Sequence, residues 1–178
     1  LIKKIKLLKQ SKYRKVKNQF VAEGKRLVRE AINCGDAVDL LLCTKTFYEK
    51  NKNDWQGFLE AGNTMIEIIT DSQFKSISST STPSGIAALC NIPRSPYIDF
   101  KVREWIYLDK IRDPGNLGTI LRSALWFGFK NIILSSESVD PYNPKAIRSG
   151  MGSHFGLNLY QSIKLNDFIK THLIVSGS

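Results

Sequence analysis

The stretch that decides the fold is residues 109–129, DKIRDPGNLGTILRSALWFGF. An apolar run at 105–108 precedes it and predicts a short buried strand. The letters DPGN at 113–116 predict a tight turn, because proline presets φ and glycine adopts positive φ without steric cost. We expect Asn116 to cap the helix that follows. Strand, turn and helix begin a βαβ unit, and open α/β sheets bind ligands at the carboxyl ends of their strands.

The helix after this turn is marked by an apolar stripe. Its members recur at the spacing of one helix face: Leu117, Ile120, Leu121, Ala124 and Leu125. Gly128 stands where a glycine ends many helices, and residues 131–134 predict the next strand. Arg122 lies off the stripe. The spacing is satisfied equally well if Arg122 is only a surface charge and Asn116 only a cap.

Composition narrows the class of protein. The 178 residues fit one or two globular domains. There is no run of 18 apolar residues, so we expect no membrane span, and no apolar segment follows the basic N-terminus as in a signal peptide. Three cysteines without a C-x-x-C pair predict reduced thiols in a cytoplasmic protein. With only His154 and His172, we expect neither a metal site nor a histidine-based triad.

The positive charge is concentrated at one end. Residues 1–30 contain eleven lysines and arginines against two glutamates, a net charge of +9 out of +10 for the chain. A basic block of this kind indicates an acidic polymer as partner, and nucleic acid is the commonest. The other interpretation is a solvated helix face without a ligand. Tyr13, among these charges, is either a ring for base stacking or part of the core.

Strands and helices alternate along the first ninety residues, which predicts a small α/β sandwich. The predicted elements are helix 1–18, strand 19–22, helix 25–33, strand 38–43, helix 53–61, strand 65–69, a short helix capped by Asp71, and strand 85–90. The proline-punctuated segment IPRSP at 92–96 is the best boundary. We therefore predict domains at 1–92 and 105–178, joined by a linker at 93–104.

Beyond the βαβ unit the pattern is that of a parallel sheet with helices. Asn143 is expected to cap a short helix at 145–149, with Pro144 in its first turn. The remaining predicted elements are strand 157–160, helix 165–171 and a fourth strand at 173–175.

Residues 113–129, DPGNLGTILRSALWFGF, resemble the first signature motif of the SpoU class of RNA ribose 2′-O-methyltransferases, within the knotted SPOUT superfamily. Four residues match the motif: Asn116, Gly118, Arg122 and Ser123. The resemblance implies an α/β-knot methyltransferase domain with a parallel sheet and S-adenosylmethionine as methyl donor. It also implies that Asn116 and Arg122 are catalytic. Because arginine scarcely deprotonates, we assign Arg122 to stabilising the alkoxide or clamping a phosphate, with Asn116 orienting it or fixing the turn.

Residues 13–32, YRKVKNQFVAEGKRLVREAI, resemble the substrate-binding domain that precedes the catalytic domain in many SpoU enzymes, an α/β sandwich similar to ribosomal protein L30e. Phe20, Glu23 and Gly24 carry this match. The resemblance implies that the domain helps to choose the RNA. The RNA-binding candidates here are Lys12, Arg14, Lys15 and Lys25.

Residues 140–155, DPYNPKAIRSGMGSHF, resemble the SpoU segment between the second and third strands, which lies near RNA in the family. Arg148 is a candidate for holding a phosphate, or else a salt-bridged surface arginine. Ser153 either hydrogen-bonds the substrate or turns the chain. We include both residues among the RNA-binding candidates.

Two further SpoU signatures, a glycine-glutamate-glycine loop and a Ser-Leu-Asn-Val helix start, are absent from the sequence. In the family they form the knot, hold the methyl donor and build most of the dimer interface. We therefore expect a truncated methyltransferase domain whose main donor site lies beyond Ser178, with Ser176 and Gly177 as weak candidates. We expect the full-length protein to form a homodimer.

The sequence thus predicts 2′-O-methylation of a ribose in RNA. The L30e-like domain favours ribosomal RNA over transfer RNA. The rival hypothesis is a non-catalytic RNA-binding protein, which applies if the chain ends naturally at Ser178. A nucleotide-binding α/β enzyme is disfavoured, because neither G-x-G-x-x-G nor a P-loop occurs.

Overall fold

The structure is a computed structural model that describes residues 1–35, 37–61, 64–93, 98 and 104–176, with only the backbone described for 54, 56–61 and 171–176. The first half contains five helices and four strands: α1 (Ile2–Leu7), α2 (Ser11–Lys17), β1 (Gln19–Glu23), α3 (Lys25–Asn33), β2 (Val38–Thr44), α4 (Lys45–Ala61), β3 (Met65–Ile69), α5 (Asp71–Ile77) and β4 (Ile86–Asn91).

These strands form one mixed sheet in the order β1-β4-β2-β3, in which only β2 and β3 run parallel. Alternate residues of each strand point to opposite faces of a sheet. Leu41 and Cys43 belong to a core that also contains residues of α3 and α4. Leu40 and Leu42 belong to a second core with residues of α1 and α5. Helices thus cover both faces, and the predicted α/β sandwich is confirmed.

The second half follows the predicted βαβ order. Its elements are β5 (Ile106–Leu108), α6 (Pro114–Trp126), β6 (Asn131–Leu134), α7 (Pro144–Gly150), β7 (Asn158–Gln161) and α8 (Leu165–Ser176). The sheet is parallel in the order β5-β6-β7, as predicted. A short 3₁₀ turn, Ser153–Phe155, links α7 to β7.

The two sheets share a hydrophobic core. The first core cluster contains β1 and α3 residues together with residues of α6, α7 and β6. At its centre the Phe20 ring lies 5.0 Å from the ring of Tyr142 and 6.0 Å from that of Phe155, measured between centroids. Most of the predicted linker, 94–97 and 99–103, lies outside the described residues. The domain boundaries stay a prediction, but the packing between the two halves is continuous.

The predicted single helix at 1–18 is wrong. Gln10 is extended, with φ −99° and ψ 134°, and it separates α1 from α2. The Arg14 guanidinium donates to the carbonyls of Leu8 and Lys9 at 2.7 and 2.9 Å. Those carbonyls are therefore satisfied without a continuous helix.

Two other helices begin at caps that the sequence analysis missed. α4 starts at Lys45 instead of Asn53, because the Thr44 hydroxyl accepts the backbone N–H of Phe47 at 3.2 Å. α5 is capped by Thr70 instead of Asp71, through a capping box with Gln73.

The predicted fourth strand at 173–175 is also wrong, since α8 continues as helix through these residues. A short apolar run does not distinguish a strand from a buried helix by periodicity. Within the described ranges, no helix combines the length and the apolar character that crossing a bilayer requires.

Candidate active site

The turn after β5 is held by Asp113. Its Oδ1 accepts the backbone N–H of Asn116 at 2.8 Å, so Asp113 is the N-cap of α6 and Pro114 occupies the first turn. The prediction that Asn116 is the cap is therefore wrong. Asp113 Oδ2 lies 2.8 Å from Lys145 Nζ at the start of α7. The hydrogen bond from Lys145, followed by that from the Asn116 backbone, lowers the pKa of the Asp113 carboxyl.

Asn116 lies in an open depression at this carboxyl edge of the parallel sheet. The depression has a volume of about 390 Å³, and its lining residues are Lys110, Ile111, Arg112, Asp113, Asn116, Thr119 and Ile120. Lys110 also pairs with Glu137 at 3.2 Å, and the hydrogen bond that its ammonium donates to that carboxylate raises the pKa of the lysine. Two cations and an amide suit the phosphates and hydroxyls of a nucleic acid. They do not fit a sulfonium cation, so we assign none of these residues to the methyl donor.

Arg122 is exposed, as its position off the apolar stripe predicts, while Leu117, Leu121 and Ala124 of that stripe are buried. Asn116 and Arg122 are six residues apart, which in an α-helix is about 9 Å along the axis and about 120° around it. Arg122 accordingly does not line the depression. The proposal that Asn116 orients Arg122 directly is not supported by this arrangement. Asn116 itself lies in the first turn of α6 with an exposed side chain, and its catalytic role stays a prediction.

Gly118 allows α6 and α7 to pack closely. A Cβ atom added at Gly118 would lie 2.4 Å from the carbonyl oxygen of Ala146 and 2.7 Å from the backbone nitrogen of Gly150. Both partners are backbone atoms of α7, which cannot move aside as a side chain can. The glycine of the motif is thus explained by helix packing, and no ligand is needed to explain it.

We expect Gly118→Ala to destabilise the protein. The added methyl group forces α6 and α7 apart, and overpacking of this kind costs about 1–3 kcal/mol in the free energy of unfolding. Thermal unfolding should show a midpoint several degrees below wild type. Ser123→Ala, on the exposed side of the same helix, is the matched control and should melt as wild type does. A Gly118→Ala protein with an unchanged midpoint would contradict the packing.

Arg148 reaches from α7 to the other half of the molecule. Its Nη1 donates to the carbonyl oxygen of Ser79 at 3.1 Å and to the Ser79 hydroxyl at 2.5 Å. The side chain is half-buried. Its partner is a serine instead of the carboxylate of a salt bridge, and the assignment of Arg148 to a phosphate stays a prediction.

The placement of Arg14 overturns its assignment as an RNA contact. Its side chain is 2% exposed and pairs with Asp140, whose side chain is 13% exposed, at 2.6 Å. Nε and Nη2 both donate to Asp140 Oδ2, and Ser11 donates to the same oxygen at 2.9 Å. A guanidinium with these partners is not available to phosphates.

The three lysines assigned to RNA are exposed. Lys12 Nζ lies 4.9 Å from the ring centroid of Tyr13, which packs on the second core, so Tyr13 is at least partly a core residue. Lys25 Nζ donates to Asn51 Oδ1 at 2.5 Å and lies 5.4 Å from the Phe47 ring centroid. The assignments of Lys12, Lys15 and Lys25 stay predictions.

Ser153 does not reach the surface, which contradicts a direct contact with substrate. It is 4% exposed, and its hydroxyl has no hydrogen-bond partner among the described residues. The neighbouring His154 is buried, with Nε2 at 2.8 Å from the Pro141 carbonyl oxygen. Burial lowers the pKa of His154 to about 4, so the imidazole is neutral near pH 7. Both residues serve the turn between α7 and β7.

The remaining candidates are at the end of α8. Ser176 is helical and only its backbone is described, whereas Gly177 lies outside the described residues. Within the described part of the chain, no group of three or more His, Cys, Asp or Glu residues could hold a metal ion.

The sequence analysis missed four charged residues at the site: Lys110, Arg112, Asp113 and Lys145. Arg112 and Asp113 stood within the quoted motif stretch, and the carboxyl end of a predicted strand is where ligand-binding residues are expected. The pairing of Asp113 with Lys145 joins residues 32 positions apart. No local pattern signals such a contact.

Comparison with known proteins matches both halves of the chain. Residues 1–88 match the MRM3-like substrate binding domain, and residues 104–173 match the SpoU rRNA Methylase family. The chain is 32% identical over 154 residues to 23S rRNA (guanosine(2553)-2'-O)-methyltransferase RlmP of Bacillus subtilis, covering 86% of this chain and 58% of that protein. It is 31% identical over 174 residues to mitochondrial rRNA methyltransferase 3 of Xenopus laevis, covering 92% and 40%. The chain therefore spans about half the length of these relatives.

Solved structures of methyltransferases have the same fold as this chain. The AdoMet-bound rRNA methyltransferase from Sinorhizobium meliloti superposes with a TM-score of 0.78 at 29% identity, covering 95% of this chain and 63% of that one. The SpoU methyltransferase AviRb from Streptomyces viridochromogenes gives a TM-score of 0.84 at 22% identity, covering 99% and 69%, and supports the fold. On these matches and on the turn that follows β5, the chain belongs to the SpoU rRNA methylase family and carries an MRM3-like substrate-binding domain ahead of its methylase domain.

Proposed function

We propose that the protein transfers a methyl group from S-adenosylmethionine to the 2′-hydroxyl of a ribose in ribosomal RNA. The observation that carries this proposal is the depression after β5, where Asn116 of the SpoU motif lies beside Lys110 and Arg112. The named relatives act on ribosomal RNA, which favours it over transfer RNA.

The residues of this chain supply RNA binding and electrostatics. Lys110 and Arg112 hold phosphates at the mouth of the depression, and Asn116 hydrogen-bonds the ribose or its phosphate. Arg122, farther along the exposed side of α6, stabilises the negative charge that develops on the 2′-oxygen or clamps a neighbouring phosphate. S-adenosylmethionine supplies the methyl group, and we place its main binding residues outside the depression.

The proposal extends to the location and the oligomeric state of the protein. We propose that the protein acts where ribosomes are assembled, in the cytoplasm, as expected for a relative of the Bacillus subtilis enzyme. We also propose that the full-length protein works as a homodimer, because α6 ends in two exposed aromatic residues, Trp126 at 86% and Phe127 at 76% exposure. Exposed apolar surface of this kind often marks an interface.

The proposed activity is tested with the full-length protein, labelled S-adenosylmethionine and unmodified ribosomal RNA. A 2′-O-methyl group blocks alkaline cleavage of the adjacent phosphodiester bond, so the modified nucleotide should be found as a resistant dinucleotide. Methylation of transfer RNA alone would replace the proposed substrate. RNA binding without any methyl transfer would establish the alternative, a non-catalytic RNA-binding protein.

RNA binding itself depends on the basic N-terminal helices. We expect Lys12→Ala with Lys15→Ala to weaken RNA binding and to flatten the plot of log affinity against log salt by about two units, one for each lost phosphate contact. Arg14 is left intact because it is structural. Lys130→Ala is the control for a lost exposed charge, because Lys130 precedes β6, at the end of the second sheet opposite the depression. A double variant with the wild-type slope would show that the basic block is only a solvated face.

A further inference from the structure

The loop between α5 and β4 carries an unusual density of hydroxyl groups. Residues 78–84 are SSTSTPS, and the side chains at 79 and at 81–84 are exposed. Apart from the exposed Pro83, the loop has no apolar side chain that could anchor it in a core, so we expect its conformation to come from polar contacts. Three charged side chains, each from a different part of the chain, supply them.

Glu23, at the end of β1, holds the start of the loop. Its Oε1 accepts the hydroxyls of Ser78 at 2.7 Å and Thr80 at 3.2 Å, and its Oε2 accepts the backbone N–H of Ser79 at 3.1 Å. Lys9 Nζ donates to the carbonyl oxygen of Ser78 at 2.6 Å. The carboxylate thus accepts three hydrogen bonds from the loop, while the side chains at 81 and 82 are exposed.

The third anchor comes from the methylase half. Arg148 Nη1 donates to Ser79, as described, and within the described residues no partner engages its Nε or Nη2. Lys145 lies three residues earlier on α7, about 4.5 Å along the helix. Lys145 in turn pairs with Asp113, which lines the depression. A row of polar and basic groups therefore runs from the depression, along α7 and across the seam to the loop.

We propose that this row is an RNA-binding surface, in which the single strand that enters the depression continues over Lys145 and Arg148 to the hydroxyls of the loop at 79–84. We call it the seam surface. The proposal rests on the proposed function, because it names where that RNA goes next. It assigns to Glu23 the role of holding the loop in shape.

The chemistry favours RNA as the occupant. Arginine and lysine side chains, serine and threonine hydroxyls and backbone N–H groups are the usual contacts to phosphates and sugars. Among the described residues, none of the exposed large hydrophobic side chains belongs to residues 78–84 or to α7, whereas a protein partner would use such groups. Hydroxyls beside a guanidinium can also bond the ribose 2′-OH, the group that distinguishes RNA from DNA.

Site-directed crosslinking tests the path of the RNA. In the full-length protein with Cys34→Ser, which removes the exposed thiol, Ser81→Cys is labelled with a photoactivated benzophenone and mixed with ribosomal RNA. We expect crosslinks to nucleotides close to the methylated one. Lys130→Cys, at the amino-terminal end of the central strand β6, is the matched control. Equal crosslinking from both positions, or none from Ser81→Cys while RNA is bound and methylated, would overturn the seam surface and leave the proposed function intact.

Binding measurements give an independent test. We expect Arg148→Gln to reduce the salt dependence of RNA affinity by about one unit. Ser81→Glu with Thr82→Glu should raise KM for RNA about tenfold with little change in kcat, because two negative charges repel the strand without touching the chemistry. Lys130→Gln should change neither quantity. A wild-type KM for the double glutamate variant would refute the seam surface. If the wild-type protein itself did not methylate ribosomal RNA, the proposed function would be refuted instead.

Discussion

Replacing Arg122 with alanine should lower the rate of methyl transfer by about two orders of magnitude or more, with little effect on stability. A positioned donor that stabilises developing negative charge typically contributes about 10²–10³ in rate. The side chain is exposed on α6 and lies off the buried stripe, so its loss opens no cavity. We expect the free energy of unfolding to change by no more than about 0.5 kcal/mol.

The measurement is single-turnover methylation at saturating RNA and donor, with a melting curve for each variant. Arg122→Lys should restore little activity, because a point charge does not reproduce the planar fork of a guanidinium. Lys130→Ala, which also removes an exposed positive charge but lies outside the motif, serves as the control. If Arg122→Ala melted early and lost activity in proportion, the residue would be structural. A variant that methylated at the wild-type rate would exclude Arg122 from the mechanism.

Replacing Arg14 with alanine should destabilise the protein by about 3–5 kcal/mol, the usual cost of breaking a buried ion pair by removing one partner. Asp140 would be left nearly buried without its cation, and the carbonyls of Leu8 and Lys9 would lose their donor. The melting temperature should fall by roughly 10 °C. Lys15→Ala, which changes the next residue, an exposed one, should melt within about a degree of wild type.

The pair can be separated from general damage by a double-mutant cycle. Asp140→Asn and Arg14→Met should each lower the free energy of unfolding. The variant with both changes should lose less free energy of unfolding than the sum of the two single losses. Additive losses would show that the two side chains do not interact in solution. RNA affinity provides a second measurement, because Asp140 precedes α7, whose Lys145 and Arg148 border the candidate site. RNA affinity should therefore fall in the destabilised variants, whereas Lys130→Ala, the control for a lost exposed charge, should keep the wild-type affinity.

The predictions that held were those that depend on local pattern. The stripe from Leu117 to Leu125 placed α6, although residues 114–116 form its first turn instead of a tight turn ahead of it. The apolar run without alternation at 38–43 indicated a buried strand, which β2 confirms. The errors at helix starts came from the caps. The cap of α5 was assigned one residue too late, to Asp71 instead of Thr70, and the cap of α4 at Thr44 was overlooked. The strand predicted at 173–175 failed because three apolar residues in a row fit a helix equally well.

The candidate site was predicted in part. Asn116 was identified through the motif and does lie in the depression. The motif does not show how far Asn116 lies from Arg122, because that distance depends on the six residues of helix that separate them. Arg14 was misassigned because charge counting cannot show that an aspartate 126 residues away will bury it. Ser153 was misassigned for a similar reason, since the turn that contains it folds inward.

The division between the two sources of information has a physical basis. Periodicity, turn residues and the SpoU motif depend on interactions within a few residues, and these already specify an α/β fold, a βαβ unit and a positively charged RNA-binding class of protein. Which charges are free, which glycine is needed for helix packing and how the two sheets share one core depend on contacts between distant residues. Gly118 against α7, Arg14 with Asp140, and Arg148 with Ser79 all join such segments. Only tertiary packing, which decides where each backbone and charge meets its partner, could determine them.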